Sequence, residues 1–213
     1  GFRKGEMVTI TAGSGTGKTS ICREITHHFL NKGLKVGCIN LEESMQRSLQ
    51  GIVGVELSLP IHLDPTLADK SALKSAFDRI LGTGRLFLYD HFGSMDPDRL
   101  IEQIHYLATV EQVDVCVVDH LTIVVSGLTD LDERRALDVT CTKLRQVVEN
   151  TGVGLILVSH LKRPEGRGHE EGAQTSLSQL RGSHAIAQLS DLVIGAERNQ
   201  QGDLAERSEM QIR

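Results

Sequence analysis

Lys18 and Thr19 directly follow Gly17 in "AGSGTGKTS", residues 12–20. A lysine and then a hydroxyl residue after a glycine-rich turn are what the capture of a nucleoside triphosphate needs. The turn lies between an apolar run, "EMVTITA", and a helix-like stretch, which is the setting of a P-loop. Backbone N–H groups from Ser14 to Thr19 can wrap a phosphate, and the helix dipole adds to the attraction. Lys18 would neutralise the β- and γ-phosphates, and the Thr19 hydroxyl would bind Mg²⁺. Gly13, Ser14, Gly15, Thr16, Gly17, Lys18, Thr19 and Ser20 are thus the predicted nucleotide cradle. Ala12 stands where the G-x-x-x-x-G-K-T pattern has its first glycine, and a small residue suffices there. A plain glycine-rich turn between strand and helix would not need Lys and Thr at these places.

Two carboxylates and a histidine close other apolar runs. "VCVVDH" puts Asp119 at a strand end, where an acid beside a P-loop orders Mg²⁺ through water. The competing role is an aspartate that merely caps the strand. "VGCINLE" ends in Glu42, whose carboxylate could polarise a water at the γ-phosphate. Glu43 is its rival. Geometry favours Glu42, with Glu43 facing elsewhere or starting a helix. "VGLILVSH" ends in His160 and opens a polar loop. A phosphate loop, then a strand ending in Glu, then a later strand ending in Asp is the order of RecA-type motors. Small-molecule kinases and GTPases usually place their acids differently.

Strands must present these groups together. Strand-like runs occur at 6–12, 36–41, 85–90, 113–120, 153–160 and 191–198, and "SEMQIR" reads as another. Helical patterns separate them. One runs from Lys18 to about Leu30 with Ile21, Ile25 and Phe29 in phase, and one from Glu43 to Val53 with Met45, Leu49 and Ile52. A third follows an Asp96–Pro97 start with Leu100, Ile104 and Leu107 inward. A fourth spans Asp132 to Asn150 with Leu137, Cys141, Leu144 and Val148, and a short one surrounds "SHAIAQL". Residues 54–84 carry no readable pattern. The alternation predicts an α/β domain with a mainly parallel twisted sheet and helices on both faces.

The 213 residues suit one domain, and 39% hydrophobic with 24% charged content marks a globular chain. A net charge of −5 excludes broad electrostatic binding of nucleic acid, so any such contact must be local. The four cysteines form no C-x-x-C pair and read as buried free thiols in a reducing compartment. No apolar run approaches the ~20 residues of a membrane span, and there is no signal peptide. The start at Gly1 without a methionine suggests a piece of a longer protein.

"GSGTGKT", "LEES", "LYDHF", "VDVCVVDHLTIVVSG", "DERRALDVTCTKLR", "HLKRPEGRGHEEG", "SLSQLRGSHAIAQLSD" and "ERNQQGD" together resemble the DnaB-type replicative DNA helicase family. The likeness is greatest to the helicase half of tailed-phage primase–helicases, with mitochondrial Twinkle further off, and it runs nearly end to end. It implies a single RecA-like P-loop NTPase domain over residues 1–213. It implies a ring, usually a hexamer, with ATP or dTTP and Mg²⁺ between subunits and single-stranded DNA in the channel. The implied setting is the cytoplasm of a bacterium or a phage-infected cell, with no membrane partner. Glu42 matches the catalytic base, Asp119 the metal-ordering acid, His160 the γ-phosphate sensor and Arg198 an arginine near the nucleotide base. The docking helix is expected before Gly1 and the arginine finger beyond Arg213. These residues alone are therefore expected to bind nucleotide better than they hydrolyse it and to form rings poorly.

The loop after His160 carries Lys162, Arg163 and Arg167, then Glu170 and Glu171, so its charge nearly cancels. Charge alone leaves DNA contact an even proposition, but the resemblance puts this loop in the channel. Arg181, Gly182 and Ser183 open a helix whose N–H groups could take a second phosphate. Neither segment has an aromatic residue, so contacts should be sequence-independent and without base stacking. His169 beside Glu170 could orient the loop. His27, His28, His91 and His105 lack ligand spacing and read as surface or packing residues. Three alternatives stay open: a recombinase or clock-like ATPase on the same core, a small-molecule P-loop kinase, and an idle nucleotide-binding fragment. The intact Lys18, Glu42 and Asp119 speak against the last.

Overall fold

The apolar runs become one seven-stranded sheet in this computed structural model, which describes residues 2–125, 130–162, 168–180 and 184–213. The strands are β1 (Met7–Ala12), β2 (Val36–Asn40), β3 (Leu86–Tyr89), β4 (Val115–Asp119), β5 (Gly154–His160), β6 (Leu192–Glu197) and β7 (Gln211–Ile212). Their order is β3-β2-β4-β5-β1-β6-β7, parallel throughout except for β7, which runs against β6. The helices are α1 (Lys18–Asn31), α2 (Met45–Leu57), α3 (Lys70–Leu81), α4 (Pro97–Thr109), α5 (Asp130–Thr151), α6 (His184–Leu189) and α7 (Leu204–Ser208).

Strands buried on both faces have to be apolar throughout. In β4, Val115 and Val117 enter the core under α1, α2 and α3, while Cys116 and Val118 enter the core under α4, α5 and α6. In β5, Ile156 and Val158 share the first core with the former pair, and Leu155 and Leu157 share the second with the latter. The cysteines are buried and free, and burial pushes the Cys38 and Cys141 thiols up to about 12. No described helix is long and apolar enough to cross a membrane.

Helix starts and faces mostly follow the sequence pattern. Asp96 caps α4 by accepting from the Asp98 and Arg99 N–H groups, and Leu100, Ile104 and Leu107 are buried. In α5, Leu137, Cys141, Leu144 and Val148 are all fully buried. Leu144→Ala should lower the unfolding free energy by about 2–5 kcal/mol, read from a urea denaturation midpoint at unchanged slope.

Three details differ from expectation. In α1 the fully buried line is Cys22, Thr26 and Leu30, one residue on from Ile21, Ile25 and Phe29, which are only partly covered. Thr26 sits inside because its hydroxyl meets the Cys38 thiol at 3.7 Å. Helix α2 starts later than Glu43, at Met45, because the Ser44 hydroxyl accepts from Arg47 N–H, and Met45 itself is exposed. Residues 54–84 contain α3, capped by Asp69, of which only Ala76 and Ile80 are buried.

Candidate nucleotide-binding and hydrolysis site

Strand β5 lies between β1 and β4, and the register sets Ala12 opposite His160 and Asn40 opposite Asp119. The carboxyl ends of β1, β2, β4 and β5 therefore share one edge of the sheet. In open α/β sheets ligands bind along that edge.

The turn after β1 has the backbone its sequence requires. Gly15 and Gly17 have φ of +71° and +112°, which other residues adopt only with strain. Gly17 is the N-cap of α1 and supplies no side-chain acceptor, so the first N–H groups of α1 are left for an anion. Lys18 is buried, and its Nζ donates to the carbonyls of Ala12 at 3.1 Å and Gly13 at 2.8 Å. Burial lowers its pKa, and the nearby Asp119 and Glu42 work against that. The Thr19 hydroxyl donates to Asp119 Oδ2 at 2.7 Å.

Asp119 Oδ1 is buried without a partner, and burial raises the carboxyl pKa more than the Thr19 bond lowers it. A buried carboxylate oxygen left unpaired beside a threonine hydroxyl is a fitting donor set for a hard divalent cation. Thr19 and Asp119 could thus hold Mg²⁺, and the turn from Gly13 to Ser20 fits a triphosphate.

Glu42 and Glu43, adjacent in sequence, go separate ways. Glu43 Oε2 accepts from Arg23 at 2.6 Å and Oε1 from the Ser48 hydroxyl at 2.9 Å, with its side chain and that of Arg23 each 10% exposed. That carboxylate ties α1 to α2. Glu42 instead faces the sheet edge, and His120 Nε2 lies 2.8 Å from its Oε1. The Thr122 hydroxyl meets His120 Nδ1 at 2.7 Å, so the tautomer that donates from Nε2 to Glu42 can accept from Thr122. His160 Nε2 is 3.8 Å from the same Glu42 oxygen, and the rings of His120 and His160 meet edge to face at 4.0 Å.

His120 first, then His160, hold the Glu42 carboxyl far below the usual range. For His160 the Glu42 carboxylate pulls the pKa up, but burial, Lys18 and His120 outweigh it and the net shift is downward. Ligand atoms of Glu42, His120 and His160 lie within 4.8 Å of one another, a donor set that a transition metal could also use.

His120 is the site residue that sequence reasoning missed. Strand alternation would turn the neighbour of Asp119 to the other face. However, β4 ends at Asp119, so the alternation no longer applies. The only signal is a histidine directly after a strand-end aspartate.

The remaining predicted residues sit further out. Lys162 is exposed, and its backbone N–H donates to Gln179 at 2.7 Å. Arg163, Arg167, Arg181, Gly182 and Ser183 lie outside the described residues. Arg198 Nε donates to the Arg207 carbonyl at 2.6 Å. Arg198 lines a cavity of about 140 Å³ with Gly172, Asn199 and Glu206, into which no phosphate-loop residue projects.

The family model for the DnaB-like helicase C-terminal domain matches residues 1–213. The chain belongs to that family. It is 40% identical over 210 residues to the DNA helicase/primase of Enterobacteria phage T3, covering 96% of this chain and 37% of that protein. The chain thus spans well under half the length of this relative. Among solved structures, all of it superposes on an isolated ATPase domain at a TM-score of 0.76 and 16% identity, over 77% of that chain. It superposes on a DnaB-like replicative helicase, studied with its interactions with primase, at 0.80 and 15% identity over 52% of that chain. A KaiC-like protein from Pyrococcus horikoshii matches at 0.64 and 16% identity over 78% of its length. These structures share the fold, and the RecA-like α/β architecture expected from the sequence is the one found.

Proposed function

We propose that this chain is the motor domain of a replicative DNA helicase, hydrolysing ATP or dTTP to move along single-stranded DNA and unwind duplex. The reading rests on one observation above the others. Glu42, Asp119 and His160, from three strand ends, converge beside Lys18 and Thr19 of the phosphate loop.

The backbone from Gly13 to Ser20 and Lys18 would bind the triphosphate, and Thr19 and Asp119 would hold Mg²⁺. The metal would supply charge neutralisation at the transferring phosphate. Glu42 would take the proton from the attacking water, with His120 and Thr122 fixing the carboxylate in place. His160 would report the γ-phosphate to the segment that follows it. On that segment Lys162, Arg163 and Arg167, with Arg181, Gly182 and Ser183 beyond, would contact DNA phosphates. Arg198 would lie near the nucleotide base, and the full-length protein would work as a hexameric ring.

The test is hydrolysis by the full-length protein with and without single-stranded DNA, together with unwinding of a forked duplex. Single-stranded DNA should stimulate hydrolysis, and Lys18→Ala should reduce both activities by at least about 10²-fold. Hydrolysis indifferent to DNA would count against a helicase. Strand exchange without unwinding would favour a recombinase.

A further inference from the structure

His169 has no part in the site described so far, yet it is packed against the phosphate loop. It is 5% exposed, and neither ring nitrogen has a partner among the described residues. Thr16 Oγ1, buried in the loop itself, also lacks one. A Cβ on Gly13 would collide with the His169 Cβ, 3.2 Å from its Cγ and 3.3 Å from Thr16 Oγ1. Gly13 is not among the residues with positive φ, so its backbone does not demand glycine. The histidine beside it does.

The packing is fixed from both sides. Leu161 bridges Leu180, and Lys162 N–H donates to Gln179 at 2.7 Å, so the segment leaving β5 is pinned at its two ends. Within it, Glu171 N–H donates to Gly168 at 3.0 Å and Gly172 N–H to His169 at 3.1 Å, forming a turn that presents the imidazole. Behind the turn, Gln200 N–H donates to the Glu170 carbonyl at 2.8 Å, and Gln200 Nε2 reaches the Ser14 carbonyl at 3.5 Å. His169 is therefore wedged between the phosphate loop and the turn at Asn199 and Gln200. Buried nitrogens without partners disfavour folding, and leucine of similar bulk would avoid that cost. A residue kept at such a place despite that cost is one the site uses.

We propose that His169 is a positioning residue that carries the state of the segment 161–180 to the phosphate loop through Gly13. DNA on that segment and nucleotide on the loop then alter each other's affinity, as linkage requires. This is a second route beside His160, and it rests on the helicase reading above.

The experiment titrates full-length protein with a fluorescent, non-hydrolysable nucleotide, with and without saturating oligo-dT. In the wild type DNA should shift the nucleotide Kd by about 5- to 150-fold. In His169→Leu the shift should fall to within about twofold, while the thermal midpoint without ligand stays level or rises. Gly13→Ala should lower both nucleotide affinity and thermal midpoint, and His169→Gly in the same chain should recover both by making room for the methyl group.

A wild-type shift that survives in His169→Leu overturns the coupling, as does nucleotide binding that DNA leaves unchanged. Failure of the second substitution to relieve Gly13→Ala overturns the contact. A wild type without nucleotide affinity would instead remove the helicase reading, and the thermal midpoints would still decide the Gly13–His169 contact.

Discussion

Glu42→Gln is expected to cut NTP hydrolysis by about 10²- to 10⁴-fold, the range that a positioned general base contributes. Nucleotide binding should be retained. Glutamine keeps the side-chain length, and its carbonyl oxygen can still accept from His120 Nε2, now at 2.8 Å from the carboxylate. What it loses is the ability to take a proton. The informative control is Glu43→Gln. Glu43 pairs with Arg23 where both side chains are 10% exposed, so removing its charge strands a buried guanidinium. That should cost stability, on the order of 3–5 kcal/mol, and leave the chemistry of whatever folds. Phosphate release, nucleotide titration and thermal unfolding on the two variants separate the roles. Equal losses of turnover per folded molecule in both would deny Glu42 the part of base.

The parts of this site that are legible in the sequence are those where local chemistry dictates residue type. A backbone that must adopt positive φ at Gly15 and Gly17 and then present Lys18 and Thr19 has few spellings. Strands buried on both faces must be apolar until the residue that leaves the core, which is why Asp119 and His160 stand out at the ends of β4 and β5. The hidden parts depend on partners distant in sequence. A hydrophobic count misplaces the α1 register because Cys22 and Thr26 weigh little in it, yet Thr26 packs on Cys38. Helix α3 is hidden because only Ala76 and Ile80 of it are buried. The fate of Glu43 is set by Arg23, twenty residues earlier. Gly13 is explained in part by His169, which no local pattern connects to it.

Asp119→Asn should push function and stability in opposite directions. Removing the negative charge should lower Mg²⁺-dependent hydrolysis by at least about 10²-fold, since a metal supplies several kcal/mol of charge stabilisation at the transferring phosphate. Stability should move the other way. Asp119 is 2% exposed and its Oδ1 has no partner, so burial raises its folded pKa above the unfolded value despite the Thr19 bond. A carboxyl with a raised folded pKa binds its proton more tightly in the native state. Its charged form therefore opposes folding at neutral pH, and the loss is recovered as pH falls through the folded pKa. Asparagine can keep the Thr19 hydrogen bond without the charge. The variant should thus melt higher than the wild type at neutral pH in the absence of nucleotide, and the gap should close on acidification. Adding Mg²⁺ and nucleotide should then stabilise the wild type more than the variant, reversing the order. A variant that melts lower at neutral pH and hydrolyses normally would make Asp119 a strand cap and nothing more. The opposite signs follow from one fact: a carboxylate desolvated beside a threonine hydroxyl is a liability to the fold alone and an asset once a cation shares its charge.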